Sequence, residues 1–247
     1  MSRSRQACVD GGFAIEPRNQ HAEPPGAYAP GPVLLDLRIT GDLLEVGVWW
    51  RTNLTLRRLA PLFGVSKSAA DRIVDHLGPA LALQPRQRFR KETVLIVDGT
   101  LVPARDRAMA ASSKNYRYST HHQVVIDADT RLVVAVGKPL PGNRNDCRAW
   151  QESGVKAAVG ITPAVIADGG YRGTGPTIPH HRRHKDEELP SWKEEHNASH
   201  RKLRARVEHT FARMKSWKIL RDCRLKGDGV HHAMLGIARL HNLTLTE

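Results

Sequence analysis

Two aspartates stand where short apolar segments end, and each is followed directly by glycine. Asp98 closes the run VLIVD, and Asp168 follows the run PAVIA. Open α/β sheets place their ligand sites at the ends of such strands. A carboxylate beside a buried strand is unfavourable unless a cation neutralises it, and Mg²⁺ binds one or two carboxylates together with waters and phosphate oxygens. The two residues therefore indicate either a divalent-metal site or, taken singly, two ordinary Asp-Gly turns.

A third carboxylate lies in the later segment HRKLRARVEHTFARMKSW. Arg204, Glu208 and Lys215 are separated by four and seven residues, so they share one face of a predicted helix. Arg204 and Glu208 at this spacing could form a simple surface ion pair. On a strongly basic chain, a carboxylate between two cations also fits a metal ligand that stands among phosphate contacts.

The charge balance favours a polyanionic partner. Lys and Arg number 38 against 25 Asp and Glu, which gives a net charge of +13, and the pI is near 10.2. Nucleic acid is the commonest polyanion of the cytosol. A basic enzyme that does not act on nucleic acid fits the same composition.

Cysteine use and hydropathy narrow the class of protein further. The three cysteines are Cys8, Cys147 and Cys223, and the absence of a CxxC pair disfavours a disulfide scaffold and a zinc ribbon. No apolar run approaches the ~18 residues of a membrane span. The first residues lack the charged-then-apolar pattern of a signal peptide. We therefore expect no membrane association and a cytoplasmic, nucleoid-associated protein.

The first 88 residues divide into a tail and a helical region. Residues 1–32 are rich in Pro, Gly and polar residues without periodicity, which is typical of a disordered tail. Residues 33–88 are predicted to be helical, with Gly64 as a break and Ser66 as the cap of a helix that ends at Gly78-Pro79. This pattern is typical of a helix-turn-helix, although a plain helical hairpin fits it too. A helix-turn-helix would present Lys67, Ser68 and Arg72 to DNA.

Residues 89–247 change to an α/β pattern in the order β-β-β-α-β-α. The predicted strands are Val94–Asp98, His122–Asp127, Arg131–Gly137 and Pro163–Ala167. The second and third flank a short turn and predict an antiparallel hairpin. A polar connector over 172–198 precedes helices over 200–217 and about 229–242. These elements predict an α/β domain in which helices flank a mixed sheet.

Further basic and histidine-rich segments carry weaker predictions. Lys114 and Arg117 interleave with aromatic residues after the first strand, where substrate-strand contact and an ordinary exposed loop are equally good explanations. The histidine runs lack a cysteine or carboxylate at zinc spacing, so we expect them to be solvated or to face phosphates. These runs are His121-His122, 180–184 and His231-His232.

The three acids together resemble the catalytic residues of the DDE-superfamily transposases, whose core is RNase H-like. Asp98 in VDGT, Asp168 in ADGGYRG and Glu208 in R-x3-E-x6-K occur in the family's order, and the likeness extends over 52–245. The greatest similarity is to the insertion-sequence branch related to Harbinger-type endonucleases. The resemblance implies an RNase H-like mixed sheet flanked by helices, with an N-terminal helix-turn-helix module.

One residue departs from the family's pattern, and one further motif adds to the resemblance. In the family's Tyr-Arg-Glu-Lys signature, Arg201 occupies the tyrosine position. The segment PGNRND is similar to another family motif, whose aspartate is here Asp146. The resemblance implies that Asp146 is a fourth acidic ligand, while its position at the start of DCRAWQESG equally fits a helix N-cap.

The resemblance also implies an activity and its requirements. Asp98, Asp168 and Glu208 would hold two Mg²⁺ ions, with Mn²⁺ able to substitute, in metal-dependent cleavage and strand transfer of DNA. Residues 89–247 would be the catalytic domain, and its DNA contacts would include Arg201, Arg204 and Lys215. The partners would be double-stranded DNA, as terminal inverted repeats and target, and a second copy of the chain. A catalytically inactive DNA-binding relic and an RNase H-like nuclease that only hydrolyses remain as alternatives.

Overall fold

The computed structural model describes residues 37–114, 118–160, 164–182 and 188–246. The predicted tail over 1–32 and the candidate DNA contact Arg117 lie outside these ranges. The helices are α1 (Leu37–Thr52), α2 (Leu56–Leu59), α3 (Lys67–Ala80), α4 (Asp146–Glu152), α5 (Val155–Val159), α6 (Ser191–Met214) and α7 (Gly229–Thr246). The strands are β1 (Val94–Pro103), β2 (Ser119–Asp127), β3 (Val133–Val136), β4 (Leu140–Pro141) and β5 (Ala164–Ile166). Within these ranges, no helix is both long and apolar enough to cross a membrane.

The five strands form one mixed sheet. Four of them follow the order β3-β2-β1-β5, and β4 pairs with the first residues of β2, beside β3. β1 and β3 both run antiparallel to β2, whereas β5 runs parallel to β1 on its other side. The predicted hairpin between β2 and β3 is therefore confirmed. This is the mixed α/β sheet that the resemblance to RNase H-like cores predicts.

Alternate residues of β1 enter two separate hydrophobic clusters, because successive side chains of a strand point to opposite faces. Ile96 and Val102 pack in the cluster that α6 and α7 complete. Leu95 and Val97 pack in the cluster that α4 and α5 complete, together with Tyr171. The sheet is thus covered on both faces, which explains why the VLIVD run is continuously apolar.

Several element boundaries differ from the sequence prediction. β1 continues for five residues beyond Asp98, because β2 pairs with it as far as Pro103. α3 passes Gly78-Pro79 and ends at Ala80, since proline within the last turn leaves the preceding hydrogen bonds of the helix intact. α6 begins at Ser191, within the connector predicted over 172–198. Its first turns are mostly polar and exposed, so they give no apolar periodicity that the sequence could reveal.

The N-terminal helices follow the predicted helix-turn-helix pattern. The Ser66 side chain accepts a hydrogen bond from the Ala69 N–H at 3.1 Å and so caps α3. Gly64 adopts a left-handed conformation with φ of 66°, which glycine tolerates better than other residues. These helices pack against α7, where a Cβ added to Gly236 would overlap the ring of the fully buried Trp50. Residues Asp36–Glu247 consequently form one compact unit.

Candidate functional site

Asp98 and Asp168 stand level with each other beyond the parallel strand pair. β1 and β5 pair with Ile96 opposite Ile166, so the two aspartates lie the same two residues further along. β5 ends at Ile166, and the chain turns away at the 3-10 segment Gly169–Tyr171. The expected juxtaposition of the two acids at one end of the sheet is therefore present.

Each aspartate accepts a hydrogen bond from a glycine N–H that follows it. Asp98 Oδ1 accepts from the Gly99 N–H at 2.8 Å, and Asp168 Oδ1 accepts from the Gly170 N–H at 2.8 Å. The Asp-Gly turn predicted as an alternative is present after Asp168, whereas Asp98 lies within β1, which continues to Pro103. Each hydrogen bond uses one oxygen of its carboxylate and leaves the other for a further partner.

The further partner of Asp98 is Arg204 on α6. The Arg204 guanidinium donates to Asp98 Oδ2 at 2.9 Å, and the Asp98 side chain is only 16% exposed. Burial raises the pKa of Asp98 above its ordinary value, although Arg204 and the Gly99 N–H act to lower it; Asp168 adds to the rise. Arg204 thus pairs with Asp98 and not with Glu208, the partner that helical spacing suggested.

Asp146 joins this site from the opposite face of the sheet. The predicted N-cap role is wrong: Asn145 caps α4, its side chain accepting from the Arg148 N–H, and Asp146 is the first helical residue. Asp146 Oδ1 lies 3.4 Å from Gln123 Nε2 and 3.3 Å from His121 Nε2. With the cap role excluded, the Asp146 carboxylate is available to the site.

The positions of Gly99 and Gly170 show how closely the acids approach each other. A Cβ on Gly99 would overlap Asp146 Oδ1, so only glycine permits this carboxylate to lie against β1. A Cβ on Gly170 would lie 2.8 Å from Asp168 Oδ1 and 3.1 Å from Asp146 Oδ2. Asp146 and Asp168 therefore border one small gap, and we call this gap, together with the neighbouring Asp98, the acid site.

Tyr171 lies beneath the acid site, and all three carboxylates affect its pKa. Its side chain is fully buried, and its hydroxyl donates to Gln123 Oε1 at 2.6 Å. Burial raises the pKa of Tyr171 well above its usual range, and the carboxylates of Asp146, Asp98 and Asp168 each raise it further. The three acids are thus close enough to act on one hydroxyl group.

The structure does not bring Glu208 into contact with these acids. Its carboxylate is exposed on α6, one turn beyond Arg204. Lys215 is the C-cap of α6, about 16 Å along the helix axis from Arg204. Burial lowers the pKa of Lys215. Over the described ranges, no group of three or more His, Cys, Asp or Glu side chains has a geometry that could hold a metal ion.

Five of the candidate DNA contacts are exposed, whereas Arg204 and Lys215 are half-buried. Lys67, Ser68 and Arg72 are exposed on α3, as are Lys114 and Arg201 elsewhere. Lys67 borders a groove beside Trp49 and Trp50, whereas Arg72 borders a different one beside Asp42. Ser68 and Arg72 are four residues apart and therefore lie on the same side of α3.

Sequence reasoning missed the residues that surround Asp146. Gln123 and His121 were hidden in β2, where His121-His122 was predicted to be solvated or phosphate-facing. That prediction is wrong, because all nine residues of β2 are buried. Burial, with His231 and His121 nearby, lowers the pKa of His122 to about 3. The available signal was the polar triplet HHQ directly before the apolar VVI of a core strand.

Two family profiles match the chain. Residues 89–243 match the "Transposase DDE domain" family, and residues 48–87 match the "Helix-turn-helix of DDE superfamily endonuclease". The first match covers more than half of the sequence. The chain belongs to the DDE transposase family. The resemblance drawn from the three acids is thereby confirmed, as is the helix-turn-helix.

Relatives of this transposase give the same assignment. The chain is 77% identical over 203 residues to a protein of Streptomyces albus G named as a transposase for insertion sequence element IS112, covering 82% of this chain and 79% of that relative. It is 28% identical over 204 residues to a protein of Microchaete diplosiphon named as a transposase for IS702, covering 74% and 72%. A solved Mos1 transposase paired-end complex aligns over 92% of this chain and 80% of that chain, with 12% identity and a TM-score of 0.22.

Proposed function

We propose that this transposase uses divalent metal ions to cut DNA phosphodiesters at the ends of its element and to join them to target DNA. Asp98, Asp168 and Glu208 would hold two Mg²⁺ ions, which Mn²⁺ can replace, and Asp146 would be a fourth ligand. The observation that carries the proposal is the acid site, where two aspartates in register meet a third carboxylate. Membership of the DDE family supports the same assignment.

The chemistry of the acid site fits a hard divalent cation. Carboxylate oxygens are the ligands that Mg²⁺ prefers, and the raised pKa of Asp98 marks a carboxylate short of compensating positive charge. Arg204 supplies part of that charge. An ion at Asp98 therefore requires the guanidinium to move away and the exposed Glu208 carboxylate to turn toward Asp98.

When bound, the ions would activate a water or a 3′-hydroxyl and stabilise the leaving 3′-oxygen of an in-line displacement. Arg204, once released from Asp98, would bind a DNA phosphate, because the planar guanidinium matches phosphate oxygens well. Its buried Nε has no hydrogen-bond partner among the described residues and keeps one donor for that contact. Arg204 would thus neutralise Asp98 before DNA arrives and a phosphate afterwards.

The remaining DNA contacts form two groups in this proposal. Lys67, Ser68 and Arg72 would bind terminal inverted repeats through the helix-turn-helix, within a module of residues 33–88. The catalytic domain, residues 89–247, would add contacts through Lys114, Arg117, Arg201 and Lys215. Pairing of two element ends requires at least a homodimer, and a DNA partner implies association with the nucleoid.

Cleavage of labelled end DNA by purified variants tests the metal ligands. Asp98→Asn, Asp168→Asn and Glu208→Gln should each abolish cleavage and strand transfer in Mg²⁺ and in Mn²⁺ while DNA affinity is unchanged, because each removes charge from the ions. Glu195→Gln is the matched control, since Glu195 is equally exposed on α6 but lies outside the acid site. It should cut DNA like the unmodified protein.

The same assay separates the alternatives. Cleavage by Asp98→Asn or Asp168→Asn at the original rate would overturn the metal assignment. An unmodified protein that binds end DNA but never cuts it would be a catalytically inactive relic, a reading that the exposed Glu208 carboxylate favours. Cutting without joining of ends to target DNA would identify a nuclease that only hydrolyses.

A salt titration tests the DNA partner independently of the chemistry. With about six phosphate contacts, affinity should fall about a thousandfold between about 50 and 200 mM salt. Arg72→Ala should weaken end-DNA binding, whereas exposed Arg239 on α7, which donates to the Ala80 carbonyl, provides a control in Arg239→Ala. A flat salt response would remove nucleic acid from the list of partners.

A further inference from the structure

Gln123 connects the acid site to the interior of the sheet. It lies in the middle of β2 opposite Gly99 and is fully buried. Its amide meets three polar groups at once, the Tyr171 hydroxyl at 2.6 Å, His121 Nε2 at 3.2 Å and Asp146 Oδ1 at 3.4 Å. Such an arrangement satisfies the whole amide away from water, which a buried polar group needs.

The charge of Asp146 fixes the direction of these hydrogen bonds. If the Gln123 amide were turned over, its oxygen would face a carboxylate, and two acceptors would oppose each other. The NH₂ group therefore donates to Asp146, with His121 Nε2 3.2 Å from the same nitrogen, and the oxygen accepts from Tyr171. The Tyr171 hydroxyl keeps its proton for this bond, since burial and the nearby carboxylates oppose its ionisation. His121 is held in turn through Nδ1, which lies 3.0 Å from the Arg144 carbonyl.

The two oxygens of Asp146 consequently have different surroundings. Oδ1 is held by Gln123 and rests against Gly99, where no Cβ could fit. Oδ2 lies on the Gly170 side, in the gap shared with Asp168. One oxygen is thus fixed by the protein, and the other faces the acid site.

Tyr171 joins this arrangement to the second aspartate through the backbone. It ends the 3-10 segment that Asp168 caps, and its N–H donates to the Asp168 carbonyl at 3.2 Å. A continuous path therefore runs from Asp168 through Tyr171 and Gln123 to Asp146. Tyr171 is thus linked to Asp168 through its backbone N–H, and to Asp146 through its hydroxyl and Gln123.

We infer that Tyr171, Gln123 and His121 form a positioning network that orients Asp146 toward Asp168 for a shared divalent ion. This inference rests on the proposed metal-dependent function and names residues that act through Asp146 without touching the ion. Groups that orient a metal ligand typically change metal affinity 10–100-fold when they are removed. The network is thus expected to determine the affinity of the enzyme for metal and to leave its affinity for DNA unchanged.

Tyr171→Phe is the direct test, because it removes one hydroxyl and keeps the ring. Calorimetric titration with Mn²⁺ alone, without DNA, should show a dissociation constant raised about 10–100-fold. The Mn²⁺ concentration for half-maximal cleavage should rise in parallel, while end-DNA affinity in EDTA stays the same. Thr210→Val is the matched control, since the buried Thr210 hydroxyl bonds only to the Arg206 carbonyl. It should leave the Mn²⁺ affinity unchanged.

Gln123→Met is a second variant, which keeps the volume but removes both N–H donors and the acceptor for Tyr171. It should weaken Mn²⁺ binding at least as much, and it decides the matter if Tyr171→Phe fails to fold. Unmodified Mn²⁺ affinity and metal dependence in either folded variant would overturn the network while leaving the proposed function standing. An unmodified protein that neither binds Mn²⁺ nor cuts DNA would overturn both.

Discussion

The junction between the N-terminal helices and α7 is packed very differently from the acid site. At the junction, Trp50 and Met234 are at most 1% exposed, and Gly236 lies directly under the Trp50 ring. At the acid site, Asp146 and Asp168 border a gap beside Asp98, and among the described residues only Asp98 has an arginine partner. Both regions depend on a glycine for close approach, Gly236 in one and Gly99 in the other.

This difference separates the residues that stabilise the fold from those that do chemistry. Apolar contacts at the junction release free energy on folding, roughly in proportion to the area they remove from water. Burial and, to a lesser extent, the charge of Asp168 raise the pKa of Asp98, so the ionised carboxylate opposes folding in the absence of metal. Substitutions in the two regions should therefore have opposite effects on stability and activity.

The largest expected effect on stability is at the junction. Trp50→Ala should lower the free energy of unfolding by about 3–5 kcal/mol, because it leaves a large cavity in a core shared by three helices. Urea denaturation followed by circular dichroism measures the change. A separate early transition of the N-terminal helices alone, with the main transition unmoved, would show that the junction is not part of a common core.

A matched pair of glycine substitutions sharpens the comparison. Gly236→Ala should cost about 1–3 kcal/mol, because the new Cβ meets a rigid indole ring. Gly99→Ala should cost a similar amount, because its Cβ meets the buried His121 ring and the Asp146 carboxylate that Gln123 holds. Cleavage assays should separate the two variants, with activity lost in folded Gly99→Ala and retained in folded Gly236→Ala. Equal losses of activity in both variants would contradict the separation.

Removal of the α3 cap should have a smaller effect. Ser66→Ala leaves the Ala69 N–H without its partner and should cost about 1 kcal/mol. Ser68→Ala is the control, since that exposed side chain should change stability by less than about 0.5 kcal/mol. Thermal unfolding of both variants measures the difference. Equal melting temperatures would mean that the turn residues, and not the cap, determine where α3 begins.

The smallest expected effect has the opposite sign. Because the pKa of Asp98 is raised in the folded chain, stability is lost as pH rises from its ordinary pKa through the raised one. Asp98→Asn keeps an acceptor for Arg204 and should raise the melting temperature of the metal-free protein at pH 7. The gain should disappear well below the ordinary aspartate pKa of about 3.9, where the carboxyl is neutral in both states. Melting temperatures across this range measure it, and a destabilised variant at pH 7 would show that the Arg204 ion pair outweighs burial.

Local patterns in the sequence predicted the elements and the order of the acids. Alternation and apolar runs placed β2 and β3, and the Ser66 cap with Gly64 placed the start of α3. The approach of Asp98 to Asp168 was predicted from the position of each acid after an apolar run, since parallel strands bring their ends to one edge of a sheet. The signal for each of these features lies within one short segment of the sequence.

The rest depends on contacts between distant residues and could not be predicted in this way. Arg204 pairs with a residue more than 100 positions away, whereas helical spacing suggested Glu208. The start of α6 is fixed by tertiary contacts such as the two hydrogen bonds between the Asn197 side chain and the His180 backbone. The buried Gln123 was recognisable only after the register of β2 against Gly99 was known.

The shared core of α3 and α7 has a consequence for the DNA. Because α3 packs on α7 in one hydrophobic core, the helix proposed to bind DNA is fixed to the same body that carries the acids. If the proposed function holds, the number of base pairs between the recognised repeat and the cut is a constant of the protein. Insertion of a few base pairs between repeat and cut would then rotate the scissile bond away from the acids around the double helix. The protein would thus fix the distance between the repeat and the cut as well as make the cut.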